Sequence, residues 1–482
     1  MHQICSTAAP IYRSVLIRLA TLIAMLAALA PGQLAAANSE TYQGVVEVIW
    51  GDPVAGSGVP PQHRIQVRTD AGQVIVVPDA GPSASAIAQL SGSRVEVVLA
   101  ADATGKSTVR FLRVVPSEQG DALLGGAVTG SQPWVSILCK FSDIADEPEN
   151  LAFFQGMYAN TPGGLDHYWR EQSYNLIDVV GSNAFAWVTL PKAQTEYIAT
   201  PGSGTDANLG LLFNDCTQAV DSVVDFGNGG NPYVGINMMF NGDLDCCAWG
   251  GSRNATLDGI SKSWRTTWNP PWAFSDEGVI AHEMGHGFGL PHSNNFDGDD
   301  NPYDSRWDVM SSATRSAVNH PIYGRLGKHT LSYHKDRLAW IAPGELFELP
   351  ADGSYTITID QLALASTPNY RMARVNPTSG NTYYTVEVRD LVGDYDGNLP
   401  GNAVIIAEIQ PGRQQPAWVV DADIPPADTN FNEGSMWRVG ETFVDAATEI
   451  SIEVLSATAN GFQVRIMRGS ALPDALFDNG FE

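Results

Sequence analysis

Eleven consecutive residues constrain this chain more than any other part of it: His282-Glu283-Met284-Gly285-His286-Gly287-Phe288-Gly289-Leu290-Pro291-His292. A helix is predicted over Asp276–Gly287, with Ser275 as its N-cap. His282 and His286 stand four apart, which on a helix puts both imidazoles on one face. Gly289 ends the helix, because glycine takes a positive φ without a Cβ clash, and Pro291 stops it from resuming. The turn then returns the chain so that His292 supplies a third nitrogen. Three imidazoles leave one coordination position open, the arrangement of a catalytic zinc site. Glu283 stands beside the first histidine, where a bound water would need a base. No paired Cys-x-x-Cys spacing offers a structural zinc site instead.

The chain around this run is long, 482 residues, and 44% hydrophobic, enough for two or three packed domains. Its 53 acidic residues against 27 basic ones give a net charge of -26, which argues against nucleic acid or an anionic membrane as partner. Residues 1–37 read as a signal peptide. Arg13 and Arg18 precede an apolar stretch from Leu19 to Ala30, and Ala35-Ala36-Ala37 offers a small-residue cleavage site. That places the mature chain outside the cytoplasm, with no membrane span after cleavage. Removal of Cys5 leaves Cys139, Cys216, Cys246 and Cys247, enough for two disulfides. Geometry disfavours a bond between the adjacent Cys246 and Cys247, so one of them is expected to pair with Cys216.

The remaining chain divides into blocks. Residues 38–116 hold short β-branched runs separated by Gly, Pro and Asp, with a short helix over Ser83–Leu90. They are expected to form a small all-β barrel of the OB type, either a propeptide or a permanent accessory. Residues 117–131 are a Gly/Ser/Ala-rich linker, and 132–345 read as mixed α/β sequence carrying the histidine run. Residues 346–468 return to period-two strands and read as a β-sandwich, followed by a tail, 469–482. The fold class is therefore multidomain α+β.

The extended motif through Gly289 and His292 resembles the metzincin metalloproteases. Trp307-Asp308-Val309-Met310-Ser311 looks like the family's turn, whose methionine lies beneath the metal, so Met310 is the candidate for that position. Asp166–Tyr174 and Tyr333–Ile341, with Tyr383–Arg389 and Trp437–Phe443, resemble segments of the immune inhibitor A family, with gametolysin-like proteases as the second choice. The resemblance spans roughly residues 133 to 468. It implies a secreted zinc endopeptidase with protein or peptide substrates, in which His282, His286 and His292 hold one zinc ion and Glu283 is the general base. Some metzincins place a metal-contacting tyrosine two residues after the methionine. This chain has Ser312 there, and the next tyrosine, Tyr323, has no positional match.

Three further expectations follow. Substrate is expected to add a strand to an edge ahead of the motif, between Asn254 and Trp268. The loop Asn294–Asp308 carries Asp297, Asp299, Asp300, Asp304 and Asp308, so calcium is a candidate second ion, with a solvated loop as the alternative. If 38–116 is a propeptide, it contains no cysteine to block the metal, which leaves Asp70, Asp79 or His63 as candidates. The competing function is a catalytically silent secreted binding protein that uses its β domains.

Overall fold

A computed structural model describes residues 39–77, 87, 90–101, 107–115, 126–296, 301–422 and 434–469. The signal-peptide segment, most of the helix expected over Ser83–Leu90, Asp79, Asp297, Asp299, Asp300 and the tail beyond Gly469 lie outside the described residues.

By internal contact the chain falls into two units. The larger comprises residues 43–96 and 113–482. It opens with β1 (Ser39–Pro53), β2 (Gln62–Thr69) and β3 (Val74–Val77), successive antiparallel neighbours. The smaller unit, Met1–Tyr42 with Val97–Leu112, is described mainly through the paired strands β4 (Arg94–Ala101) and β5 (Ser107–Val114).

Five more strands complete the main sheet: β6 (Trp134–Lys140), β7 (Asn183–Thr189), β8 (Gly235–Phe240), β9 (Cys247–Leu257) and β10 (Ile260–Asn269). Its order is β3-β2-β1-β9-β10-β8-β6-β7. Strands β7, β6, β8 and β10 run parallel, and β9 runs antiparallel to β10. The central parallel strands β6 and β8 are mostly apolar and buried almost throughout, as strands covered on both faces are. Alternation along β6 divides the core. Val135, Ile137 and Cys139 face one cluster with helix Leu209–Val220, while Trp134 and Leu138 face another with Tyr168, Trp169, Ile280 and Met284.

The strands expected in 41–116 are present and paired in the order β3-β2-β1-β4-β5, and β1 also pairs outside this block. Over its last five residues β1 pairs with β9, Ile49 to Gly251 through Pro53 to Cys247. The burial of every residue from Gly44 to Pro53 is the pattern of an interior strand. The pairing also revises the expected substrate edge. Strand β10 is flanked on both sides, and the sheet ends at β9 once β1 is set aside.

The disulfide expectation is also corrected. Cys216 pairs with Cys139, because its helix lies across β6 in the same core cluster and brings the two Cα atoms to 5.8 Å. Cys246 and Cys247 bond to each other.

Beyond the histidine run, two sheets face each other across a shared apolar core. One has the order β11-β17-β16-β15-β14-β12: Ser293–Asn295, Ala417–Val419, Ala403–Ile409, Tyr383–Arg389, Met372–Val375 and Leu346–Glu348. The other has the order β13-β20-β19-β18: Gly353–Asp360, Gly461–Arg468, Ile450–Ala457 and Thr442–Asp445. The two-sheet packing is that of a sandwich. Its first sheet borrows β11 from the segment directly after His292. Among the described residues no helix is long and apolar enough to cross a membrane.

Candidate metal centre

Helix α1 (Glu277–Gly287) carries the first two histidines and is buried along its whole length. Its N-cap is Asp276 rather than Ser275. The Asp276 side chain caps nothing and instead accepts from the Arg325 amide and guanidinium. The helix stops at Phe288, and Gly289 follows at φ +90°, a conformation glycine adopts without strain. The Leu290 amide returns to the Gly285 carbonyl at 3.0 Å, closing the turn.

This turn brings the three imidazoles together. The Nε2 atoms of His282, His286 and His292 lie 3.1–3.2 Å from one another, all buried. His282 Nδ1 donates to the Val309 carbonyl and His286 Nδ1 to the Leu290 carbonyl, each at 2.7 Å. A carbonyl oxygen cannot donate, so both Nδ1 atoms carry the proton and both Nε2 lone pairs point inward. Converging lone pairs in a dry pocket repel unless a cation lies between them. Nitrogens bound tetrahedrally to zinc at about 2.0–2.1 Å lie about 3.3 Å apart, so the donor set fits that ion.

A fourth donor is one that sequence reasoning missed. Asp52, near the end of β1, places Oδ1 2.7 Å from His292 Nε2 and Oδ2 3.3 and 3.4 Å from those of His286 and His282. Together the four buried groups form a set that could hold a metal ion. Burial alone would raise the Asp52 carboxyl, but His292 and His282 outweigh it and hold the group well below its usual range. Trp50 stacks on His286 with centroids 5.2 Å apart, meets His292 edge-on at 5.0 Å, and stacks on His63 at 4.0 Å. His63 therefore touches the site through Trp50. Asp70 does not approach it and pairs with Arg94.

Glu283 is fully buried, and neither carboxylate oxygen has a hydrogen-bond partner among the described residues. Burial pushes its carboxyl up, and the charge of Asp52 pushes it further. Gly250 of β9 lies against it: a Cβ there would come within 2.7 Å of Glu283 Oε2.

Met310 is fully buried and packs on the helix at Gly285. Asp308 holds this region together. Its carboxylate accepts from Ser293 Oγ at 2.6 Å, Thr330 Oγ1 at 2.8 Å and the Met310 amide at 2.9 Å, and lies 3.0 Å from His334 Nδ1. Burial raises this carboxyl, but His334, Ser293 and the Met310 amide together lower it. A side chain committed to four internal partners is not a surface calcium ligand, which removes Asp308 from the calcium candidates. Asp304 is also buried.

The Ser312 carbonyl accepts from the Lys328 ammonium, and Tyr323 packs on Phe153. Another tyrosine reaches the site, from the loop before Met310. Tyr303 Oη donates to Asp52 Oδ1 at 2.8 Å, and its ring meets His292 edge-on at 5.6 Å.

A scan against protein-family models finds no match, and a search of curated proteins finds none. Among solved structures the chain is similar to OgpA from Akkermansia muciniphila. Two crystal forms of the wild type give TM-scores of 0.26 and 0.24 at 12% and 11% identity, covering 60% and 59% of this chain and 86% and 90% of theirs. A catalytically inactive OgpA in complex with an O-glycopeptide substrate, glycodrosocin, gives 0.25 at 9% identity, covering 60% of this chain and 86% of that one. Likeness at that level assigns neither fold nor activity to this chain.

Proposed function

We propose that this chain is a zinc-dependent endopeptidase of metzincin type, exported through the signal sequence in residues 1–37, with its catalytic unit in 132–345. The observation that carries the reading is the set of three inward-facing imidazole nitrogens 3.1–3.2 Å apart, beside a buried and unpartnered carboxylate. His282, His286 and His292 would hold the ion, and Met310 would support their helix from below. When bound, zinc supplies Lewis acidity toward water and toward a peptide carbonyl.

The chain's own residues do the rest. Glu283, dry and unpaired, takes the proton of the attacking water and returns it to the leaving amine. Tyr303 donates its hydroxyl to Asp52 Oδ1, itself 2.7 Å from His292 Nε2, and a hydroxyl so placed would stabilise negative charge on a carbonyl oxygen brought to the histidines. Gly250 keeps the space against Glu283 free of a side chain.

The test is zinc content and casein hydrolysis for the form recovered outside the cell. One zinc per chain is expected, with loss of hydrolysis on chelation and recovery on adding zinc back. Glu283→Gln should keep the metal and lose the activity. A fully active Glu283→Gln protein would sink the reading.

A further inference from the structure

We propose that the chain has a second metal site, for a divalent transition ion such as zinc, formed by His167, Glu171 and Asp394 where helix Leu165–Gln172 meets the single helical turn Gly393–Asp396. It shares no residue with the three-histidine centre and does not depend on the peptidase reading.

The donors converge. His167 and Glu171 stand four apart on the helix, so both side chains leave it on one face. A ring nitrogen of His167, a carboxylate oxygen of Glu171 and one of Asp394 lie within 4.8 Å of one another. One nitrogen and two anionic oxygens suit zinc, manganese or cobalt, whereas calcium takes oxygen ligands alone. Asp394 is exposed, so its side chain is free to turn and close the remaining gap.

The two helix ligands are also held from behind, as metal ligands are. His167 Nδ1 lies 2.9 Å from the Tyr395 hydroxyl. His329 is fully buried and places Nε2 3.2 Å from Glu171 Oε1, while its Nδ1 has no hydrogen-bond partner among the described residues. A buried imidazole thus spends its side-chain hydrogen bond on Glu171 alone. The turn that carries Asp394 is pinned just after it. The buried Tyr395 ring meets Tyr168 edge-on at 5.0 Å, and the buried Asp396 accepts from the His329 amide and from Arg389, each at 2.9 Å.

The neighbouring charge does not oppose a cation. Arg170, between the two helix ligands, is met by Asp166 at 2.9 Å and Asp178 at 3.7 Å. A cavity of about 310 Å³ opens beside His167 and Glu171, with Asn160 and Asn175 in its wall, and admits water to complete the ion's shell. The turn joins β15 to β16 of the sandwich, so a bound ion ties the sandwich to helix Leu165–Gln172. Three side chains, one of them exposed, release an ion more readily than a buried centre does, so dialysis should empty this site first.

Calorimetric titration of zinc chloride into the full-length chain, untagged, zinc-loaded and then dialysed, tests the site. The unaltered chain should take up one zinc more than either Asp394→Asn or His167→Gln, and its thermal midpoint should rise with that uptake. Both variants should lose the rise. Asp394 is exposed, so its variant decides alone if His167→Gln does not fold. No further uptake by the unaltered chain, uptake left intact in a folded variant, or displacement of the second zinc by an equal concentration of calcium would each overturn the site. Hydrolysis is not among these readouts, so a chain that takes up the second zinc and cleaves no casein would keep the site and overturn the peptidase reading.

Discussion

Gly285 and Met310 are in direct contact: a Cβ on Gly285 would come within 2.5 Å of the Met310 sulfur. The glycine lies between the two metal-candidate histidines of the helix, so what presses on it displaces them. Gly285→Ala should lower stability by about 1–3 kcal/mol through overpacking and weaken zinc retention. Thermal denaturation and zinc content after dialysis measure both, and an alanine variant matching the unaltered chain in both would show that the contact is slack.

Tyr303→Phe removes a single hydroxyl at the site. For casein hydrolysis kcat should fall on the order of 10²-fold, as when one oxyanion donor is lost, with KM changed little. Affinity for a phosphinic peptide, which mimics the tetrahedral state, should fall in parallel. An unchanged kcat would assign Tyr303 to packing alone.

Asp308→Asn turns one of two acceptor oxygens into a donor that faces other donors. Breaking this buried pairing with His334 should destabilise by about 3–5 kcal/mol, read as a lower urea midpoint. Because Ser293 and Met310 hang on the same carboxylate, zinc affinity should drop with it. A loss below about 1 kcal/mol would contradict the geometry.

Glu277 is buried and its carboxyl is pushed up to about 8 by burial, with the Gly327 amide opposing. The hydroxyls of Tyr168 and Tyr395 face the same region. The folded chain therefore holds a proton that the unfolded chain releases near 4.5. Stability attributable to this group is present below that value and is lost as pH rises toward 8, by up to about 1.4 kcal/mol per pH unit. Urea midpoints of the unaltered chain and Glu277→Gln should diverge in favour of the variant across that window. Parallel curves would mean the carboxyl is ionised throughout.

The helix with its two histidines, the turn at Gly289 and the return to His292 were legible because they are local: spacing and glycine conformation fix them within eleven residues. The sandwich was legible from period-two alternation. Asp52 was not, because 240 positions separate it from His292 and only sheet pairing joins them. The one available signal was the apolar run Gly44–Trp50, interrupted only by Glu47 and ending in Gly51-Asp52-Pro53, which reads as a strand covered on both faces. Tyr303 was hidden for the same kind of reason, since it comes from an irregular loop and no periodicity aims it. The Cys139–Cys216 disulfide turned on which helix crosses which strand.

Strand β11 begins one residue after His292 and pairs in parallel with Ala417–Val419, 124 positions further along the chain at Ser293 and Ala417. The metal-candidate histidine thus has its downstream backbone clamped by the sandwich. Domain boundaries drawn at residue 345 would cut through this dependence. A fragment ending there would keep every residue of the histidine run and lose the clamp on the third one, so the smallest autonomous version of this site extends to β17.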